Sequence, residues 1–465
     1  MRHGRYIALA VALTLTIAAP SYAAAPKAGA KCAKKSTTAN SAGKIFTCIQ
    51  SGKKLVWNKG VSIEKPTPVV TPSPTRVVTA TPTPIPTLIN YKLTDPNKFK
   101  PPTECRLISN TQASEHYGFP RPANLIPTIG QHKSIALFVY FDDLPFEQRQ
   151  FDEWRNNQIP TLETYLMGMS YGKLKYKVDI FNRPIHIKKS VLTYNLDTAH
   201  DAPMKSNANA GGLVSDAVTA SDAEVDFSEY EFINVITPWT RLIGFEGTTG
   251  VRLTADGKKF NFASFGPIRE YLDDPTKKIW LLHEVGHMMG LIHQFNIRRD
   301  WGRTGYPIWS AMANGTSPLP EFMAWEKFLL GWFSDGQVRC IENFEQGPFT
   351  SKLTSLSASD DGAKTILVRQ SANQILVIES RRTSALGILS KEEEGVLVYT
   401  IDTSVRSNEG AADLVFNSAK TRRMSNGGGG LIGTLQAGEI VTSRGVKVEV
   451  LYSDKSGDII RVSKG

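Results

Sequence analysis

Long apolar runs are missing from this chain. The one sustained run, Tyr6 to about Ala19, is short of the roughly 18 residues that a membrane span requires, and no other stretch reaches that length. A span in the mature protein is therefore not expected. No cysteine stands directly at the small-residue triplet Ser21-Tyr22-Ala23 that closes the run, and Cys32 lies too far on, which argues against a lipoprotein. No basic stretch is interleaved with aromatic residues, so nucleic acid is not indicated as a partner. The run Gly427-Gly428-Gly429-Gly430 lacks the Lys-Ser/Thr of a phosphate-binding loop and reads as a flexible loop. Internal repeats are not evident. Histidine is scarce, with eight in 465 residues, yet three of the eight fall between residues 283 and 293.

The N-terminal pattern is Arg2, His3 and Arg5, then the apolar run, then Ser21-Tyr22-Ala23. This order predicts a secretory signal peptide over residues 1–23 and an exported, extracellular bacterial protein; the alternative is a retained anchor. Without Arg2 and Arg5, 52 basic residues face 44 acidic ones, a net charge of about +8. Export and an even count of four cysteines predict disulfides, for which three pairings exist. Local pairing of Cys32 with Cys48 is the simplest, because residues 24–62 form a module too small to bury enough apolar surface unaided. Its lysines are read as a solvated basic face, with an anionic cell-wall polymer as the alternative partner. The segment resembles short two-cysteine modules at the N-termini of exported actinobacterial proteins.

Residues 63–90 are rich in Pro and Thr and almost free of charge. They read as an extended linker. Residues 91–345 then alternate strand-like and helix-like patterns. Ser134–Phe141 is a continuous apolar strand, Glu147 to about Met169 a helix interrupted near Pro160, and Ser170–Ile180 an alternating strand. A helix over Asn209–Ala223 and a strand over Phe232–Ile236 follow. From residue 346 to 465 short strands dominate, at Thr365–Val368, Gln374–Ser380, Gly395–Asp402 and Val446–Leu451, which predicts a β-sandwich or small barrel. The fold class expected is α+β. Cys105 and Cys340 bracket the middle segment. They are expected to pair, against the rival reading of Cys105 as a thiolate latency switch.

The most informative stretch is His283-Glu284-Val285-Gly286-His287-Met288-Met289-Gly290-Leu291-Ile292-His293. Asp274 as a cap and Pro275 at the first turn predict a helix through it. On that helix His283 and His287 share one face, one turn apart, and can reach one metal ion. Glu284 stands beside them as a general base toward water. Gly290 permits a positive φ that ends the helix and lets His293 return as a third ligand. Three neutral nitrogen ligands with an open position suit a catalytic zinc. Leu281, Leu282, Val285, Met288 and Met289 are expected to pack inward. His116, His132, His186 and His200 are read as structural or solvated, and Asp142-Asp143 as a strand-end loop.

These residues resemble the extended zinc signature of the metzincin metalloproteases. The resemblance implies a methionine turn beneath the metal, for which Trp309–Gly315, with Met312, is well placed. The stretch Leu319–Trp332, with Ala324-Trp325-Glu326-Lys327 and Leu330-Gly331-Trp332, is similar to the immune inhibitor A family of secreted bacterial metallopeptidases. So are Ser170–Leu174 and the pair Leu376–Arg382 and Gly395–Asp402. In that family an acidic residue often follows Gly-Leu-Pro where this chain has Leu291-Ile292-His293, so His293 rests on the general metzincin pattern. The resemblance spans roughly residues 100–402.

It implies a zinc endopeptidase in which zinc-activated water, with Glu284 as base, cleaves protein or peptide substrates. Some members place a tyrosine two residues after the turn methionine. Asn314 stands there, which leaves Tyr306 as the candidate transition-state stabiliser. Calcium is conceivable but not indicated. Two rivals remain: an inactive relative that binds through its cleft or N-terminal module, and a zinc hydrolase of a non-peptide bond.

Overall fold

The structure is a computed structural model. It describes residues 27–32, 35, 38–41, 44–52, 54–62, 91–109, 116–122, 125–196, 209–238, 248–268, 280–294, 309–313, 321–417 and 432–465. The signal-peptide segment, the linker 63–90, Asp274-Pro275, Asn314, Tyr306, His200 and Gly427–Gly430 lie outside the described residues. The chain forms two compact units, residues 1–89 and 90–465.

The first unit is a small antiparallel sheet. β1 (Thr38–Ser41) and β3 (Lys54–Trp57) flank β2 (Lys44–Ser51), and β4 (Val61–Ser62) also pairs with β2. Cys48 on β2 is bonded to Cys32. Phe46 and Cys48, two apart on the strand, are buried together with Cys32. Lys27, Lys31, Lys35, Lys44, Lys54 and Lys59 are all exposed. Among the described residues three buried side chains form a slight core, and the covalent cross-link joins two of them.

The second unit opens with a six-stranded sheet. β5 (Gly130–Phe141), β6 (Leu174–Ile180), β8 (Phe232–Pro238), β9 (Thr248–Ala255) and β10 (Lys258–Ile268) run in the order β6-β5-β8-β10-β9, and the short β7 (Ile185–Ile187) pairs with β5. All pairings are parallel except β9 with β10. Both faces of β5 are covered, and its residues divide with a period of two. Ala136 and Phe138 join one core cluster, whereas Ile135, Leu137, Val139 and Phe141 join the other. α3 (Ala210–Ser221) contributes Leu213, Val214 and Ala217 to the second cluster.

Between β5 and β6 the chain is helical, as α1 (Gln148–Glu153) and α2 (Ile159–Met169). A π-helical turn, Trp154–Gln158, joins them. Pro160 has no N–H to donate to an intrahelical bond, and the helix accommodates it by widening one turn instead of breaking. Leu162, Leu166 and Met169 then pack on Leu174, Tyr176 and Val178 of β6, whose Lys175 and Lys177 face outward.

The β-rich region is a sandwich. β11 (Val338–Ile341), β13 (Thr365–Arg369), β14 (Gln374–Arg381), β15 (Gly395–Asp402) and β16 (Ala412–Leu414) make one sheet. β12 (Phe349–Thr354), β19 (Gly457–Lys464), β18 (Val446–Asp454) and β17 (Ile440–Ser443) make the other. Ile366, Val368, Leu376, Ile378, Val396 and Val398 face Leu353, Val448, Val450 and Ile460 across it. The alternate residues Leu367, Ile375, Val377, Leu397, Tyr399 and Ile401 belong to the cluster that also holds Leu282, Met288 and Met312. The point at which the sequence pattern changes, residues 345/346, therefore lies inside one compact unit, and β11 on its near side pairs with β13 on its far side. The architecture is mixed α and β, with extensive sheets and few helices, consistent with α+β. Among the described residues no helix is long and apolar enough to cross a membrane.

Cys105 is bonded to Cys340 at the start of this unit, with both residues buried. Cys105 is thus not available as a thiolate switch.

Candidate metal centre

α4 (Trp280–Met288) carries His283, Glu284 and His287. Leu281, Leu282, Val285, Met288 and Met289 are fully buried, as their apolar spacing predicts. The helix ends in a Schellman motif. The Gly290 N–H donates to the His287 carbonyl at 2.8 Å, and the Leu291 N–H donates to the Gly286 carbonyl at 2.9 Å. Gly290 has φ +93°, and a Cβ there would lie 2.4 Å from Leu125 Cδ1. This reversal returns the chain so that His293 faces the helix. Arg121 donates to the carbonyls of Met289, at 3.0 Å, and Ile126, at 2.9 Å, placing a cation at the negative end of α4.

The three imidazoles converge. Nε2 of His283 is 3.0 Å from Nε2 of His293 and 3.1 Å from Nε2 of His287, and the third separation is 3.2 Å. The outward nitrogens are engaged. His283 Nδ1 lies 2.7 Å from the Ala311 carbonyl and His287 Nδ1 2.8 Å from the Leu291 carbonyl. A carbonyl only accepts, so each of these Nδ1 atoms carries the proton and each Nε2 presents a lone pair. Burial, then the neighbouring imidazoles, hold His287 well below the usual histidine range and lower His293 to about 3. Imidazole nitrogens about 3 Å apart with their lone pairs turned inward repel one another unless a proton or a cation stands among them. Ligands about 2.0–2.1 Å from a tetrahedral metal would be spaced about 3.3 Å apart. The donor set fits a metal ion, and among the described residues His283, His287 and His293 are the group of histidine, cysteine or carboxylate side chains able to hold one.

Glu284 is buried. It follows His283 directly in sequence, on the same helix as His287. Met312 lies beneath the helix. Its N–H donates to Ser310 Oγ at 2.9 Å, and its sulfur would stand 2.3 Å from any Cβ placed on Gly286. Ala311, between them, is the residue whose carbonyl orients His283. Tyr306 lies outside the described residues.

Several further residues surround the three imidazoles. Glu326, on α5 (Ala324–Leu329), is fully buried. It accepts from Tyr117 at 2.6 Å, Gln294 at 2.7 Å, Ser310 at 2.7 and 2.9 Å, and the Met323 N–H at 2.6 Å. Burial pushes its carboxyl up to about 7, against these donors, which pull it down. Beside it, Glu321, Lys327, Arg381 and Glu379 form a buried ionic quartet, and Arg381 also donates to the Trp309 carbonyl at 3.2 Å. Ser407 Oγ, from the loop between β15 and β16, accepts the His293 N–H at 3.2 Å. A signal for Glu326 and Lys327 was present: two charges inside the otherwise apolar run Phe322–Trp332.

Among the described residues the other histidines, His116, His132 and His186, have ordinary partners. His116 accepts from the Gly118 N–H, His132 pairs with Glu231, and His186 pairs with Asp142 and stacks on Tyr140. Asp143 accepts from Ser190 and the Val191 N–H at the strand end.

No family model matches the sequence, and no curated protein matches it. Among solved structures, the chain is similar to wild-type OgpA from Akkermansia muciniphila at 12% identity. The match covers 75% of this chain and 96% of that one, with a TM-score of 0.25.

Proposed function

We propose that the chain is an exported zinc endopeptidase of metzincin type, related to the immune inhibitor A family. The observation that carries this reading is the convergence of the Nε2 atoms of His283, His287 and His293 to within 3.0–3.2 Å of one another, with Glu284, the residue after His283, buried. The helix-terminating Gly290, and Met312 packed under Gly286, support it.

A zinc ion held by His283, His287 and His293 supplies Lewis acidity toward water and toward a peptide carbonyl. Glu284 takes the proton from the attacking water and delivers it to the leaving amine. The carbonyls of Ala311 and Leu291 keep His283 and His287 in the tautomer that presents Nε2. Burial keeps His287 and His293 unprotonated, so their lone pairs stay available at neutral pH. The Gly290 reversal fixes His293 against the helix.

The signal-like N-terminus and the disulfides support export. In this reading the exposed lysines of the first unit let it rest on anionic cell-wall polymer while the second unit cleaves protein.

The test is removal and return of metal. A chelator should abolish casein or peptide-library cleavage, and stoichiometric zinc should restore it. Cleavage that survives complete demetallation contradicts the reading. Zinc uptake with no cleavage of any peptide, alongside turnover of an ester or non-peptide amide, assigns the centre to other hydrolytic chemistry.

A further inference from the structure

Glu326 holds a position that stability alone does not favour. It is fully buried, and its hydrogen-bond partners among the described residues are all neutral. Glu321, five positions earlier and part of the quartet, is instead neutralised by Lys327 and Arg381. A buried carboxylate without a cation is costly, and an apolar side chain of similar volume usually serves stability better. Such a group is explained by what it holds in place.

What Glu326 holds is the frame of the metal centre. Oε1 receives Gln294 Nε2, the side chain next in sequence to His293. The same oxygen receives the Tyr117 hydroxyl, which also lies 2.9 Å from the Ile292 carbonyl on the other side of His293. Both neighbours of the third imidazole are thereby tied to one carboxylate. The Ser310 hydroxyl lies 2.9 Å from Oε1 and 2.7 Å from Oε2. Ser310 Oγ in turn accepts the Met312 N–H, which sets the turn whose Ala311 carbonyl orients His283. The Met323 N–H on Oε2 anchors the carboxylate to the start of its own helix.

Resting on the metal reading above, we infer that Glu326 is the positioning residue of the centre. It locks the His293 segment and the Met312 turn to one carboxylate, so that His283 and His293 meet at a fixed separation. Outer groups of this kind act on the metal without touching it, and their removal typically weakens metal binding 10–100-fold.

The test is zinc affinity, measured by competition with a chromophoric chelator at a temperature where each protein is folded by circular dichroism. Wild type is compared with E326Q, with Y117F and with L353A. Leu353 lies in the sandwich core, in a different cluster from the metal centre. E326Q should bind zinc 10–100-fold more weakly, and Y117F about tenfold more weakly. L353A should melt earlier yet bind zinc as wild type does. Y117F keeps the ring and removes only the hydroxyl, so it decides the matter alone if E326Q does not fold.

Wild-type affinity in Y117F and in folded E326Q overturns the inference, as does equal weakening in L353A, which would make the effect one of general loosening. Loss of cleavage with zinc affinity unchanged overturns it too, while leaving the metal reading intact. A wild-type protein that takes up no zinc overturns both.

Discussion

Gly286 and Met312 share a contact that only a glycine permits: a Cβ on Gly286 would lie 2.3 Å from the methionine sulfur and 3.2 Å from Phe322 Cζ. The residue between the two helix histidines is thus fixed by a turn that follows 26 positions later in the sequence. G286A should lose about 1–3 kcal/mol of stability by overpacking, despite the roughly 1 kcal/mol that alanine gains over glycine inside a helix. M312A leaves a cavity and has its own cost, so the comparison is a cycle: G286A should cost less in an M312A background than in wild type, because the clash with the sulfur disappears. Denaturant melts of wild type, G286A, M312A and the double variant check this. An equal cost of G286A in both backgrounds would show that Met312 is not what excludes the side chain.

The metal should stabilise the fold. Its ligands come from α4 and from the segment after it, and the Met312 turn packs against α4 at Gly286 and His283. Zinc at about 1,000 times its dissociation constant should add about 4 kcal/mol to unfolding. Differential scanning calorimetry with and without chelator measures this. An unchanged melting temperature would mean that the native state does not bind zinc in preference to the unfolded chain, which contradicts the metal reading.

Glu326 gives a pH signature with a definite sign. Its carboxyl is raised to about 7 in the folded protein from an ordinary value of 4.5. Between those values the native state binds more protons than the unfolded one, so the stability of wild type falls as pH rises through this window. The contribution is fully present below about 4.5 and is lost above about 7. A shift of this size corresponds to about 3 kcal/mol. E326Q cannot titrate there. The stability difference between wild type and E326Q should therefore move in favour of the variant from pH 4.5 to 7 and stay level above. A difference independent of pH across the window would contradict the assignment.

The Cys105–Cys340 bond closes a separation of 235 residues. Loop entropy for so long a closure gives about 5 kcal/mol, and loss of a native disulfide typically costs about 2–5 kcal/mol. C105A/C340A should lose stability of that order, and alkylation of the unreduced wild type should find no reactive thiol. A reactive Cys105 would revive the latency-switch reading.

Parts of this protein are legible in its sequence, and the physical reason differs from part to part. The positions of His283, Glu284 and His287 follow from helix geometry, and the reversal at Gly290 is equally local. Strands such as Gln374–Arg381 and Gly395–Asp402 stand out as apolar runs, and they pair in antiparallel register. The same runs conceal that each strand serves two cores. Apolar residues on both faces look alike in sequence, so a change of pattern near residue 345 reads as a boundary although one compact unit spans it.

The hairpin of β9 and β10 has a local signal in its Asp256-Gly257 turn, where both residues have positive φ. Glu326 stands in the sequence as one of the two charges within the apolar run Phe322–Trp332. A glutamate in a short helix looks the same whether it faces water or a buried hydroxyl. Its partners Tyr117 and Gln294 lie 209 and 32 positions away, and nothing local announces them.

The most direct measurement is made on E284Q beside wild type, with zinc stoichiometry and peptide-library cleavage determined on the same preparations. Glu284 is not among the three imidazoles that would hold the ion, so both proteins should retain one zinc while cleavage falls by several orders of magnitude in the variant. Near-normal cleavage by E284Q would contradict the account at its centre, and so would the absence of zinc from both proteins.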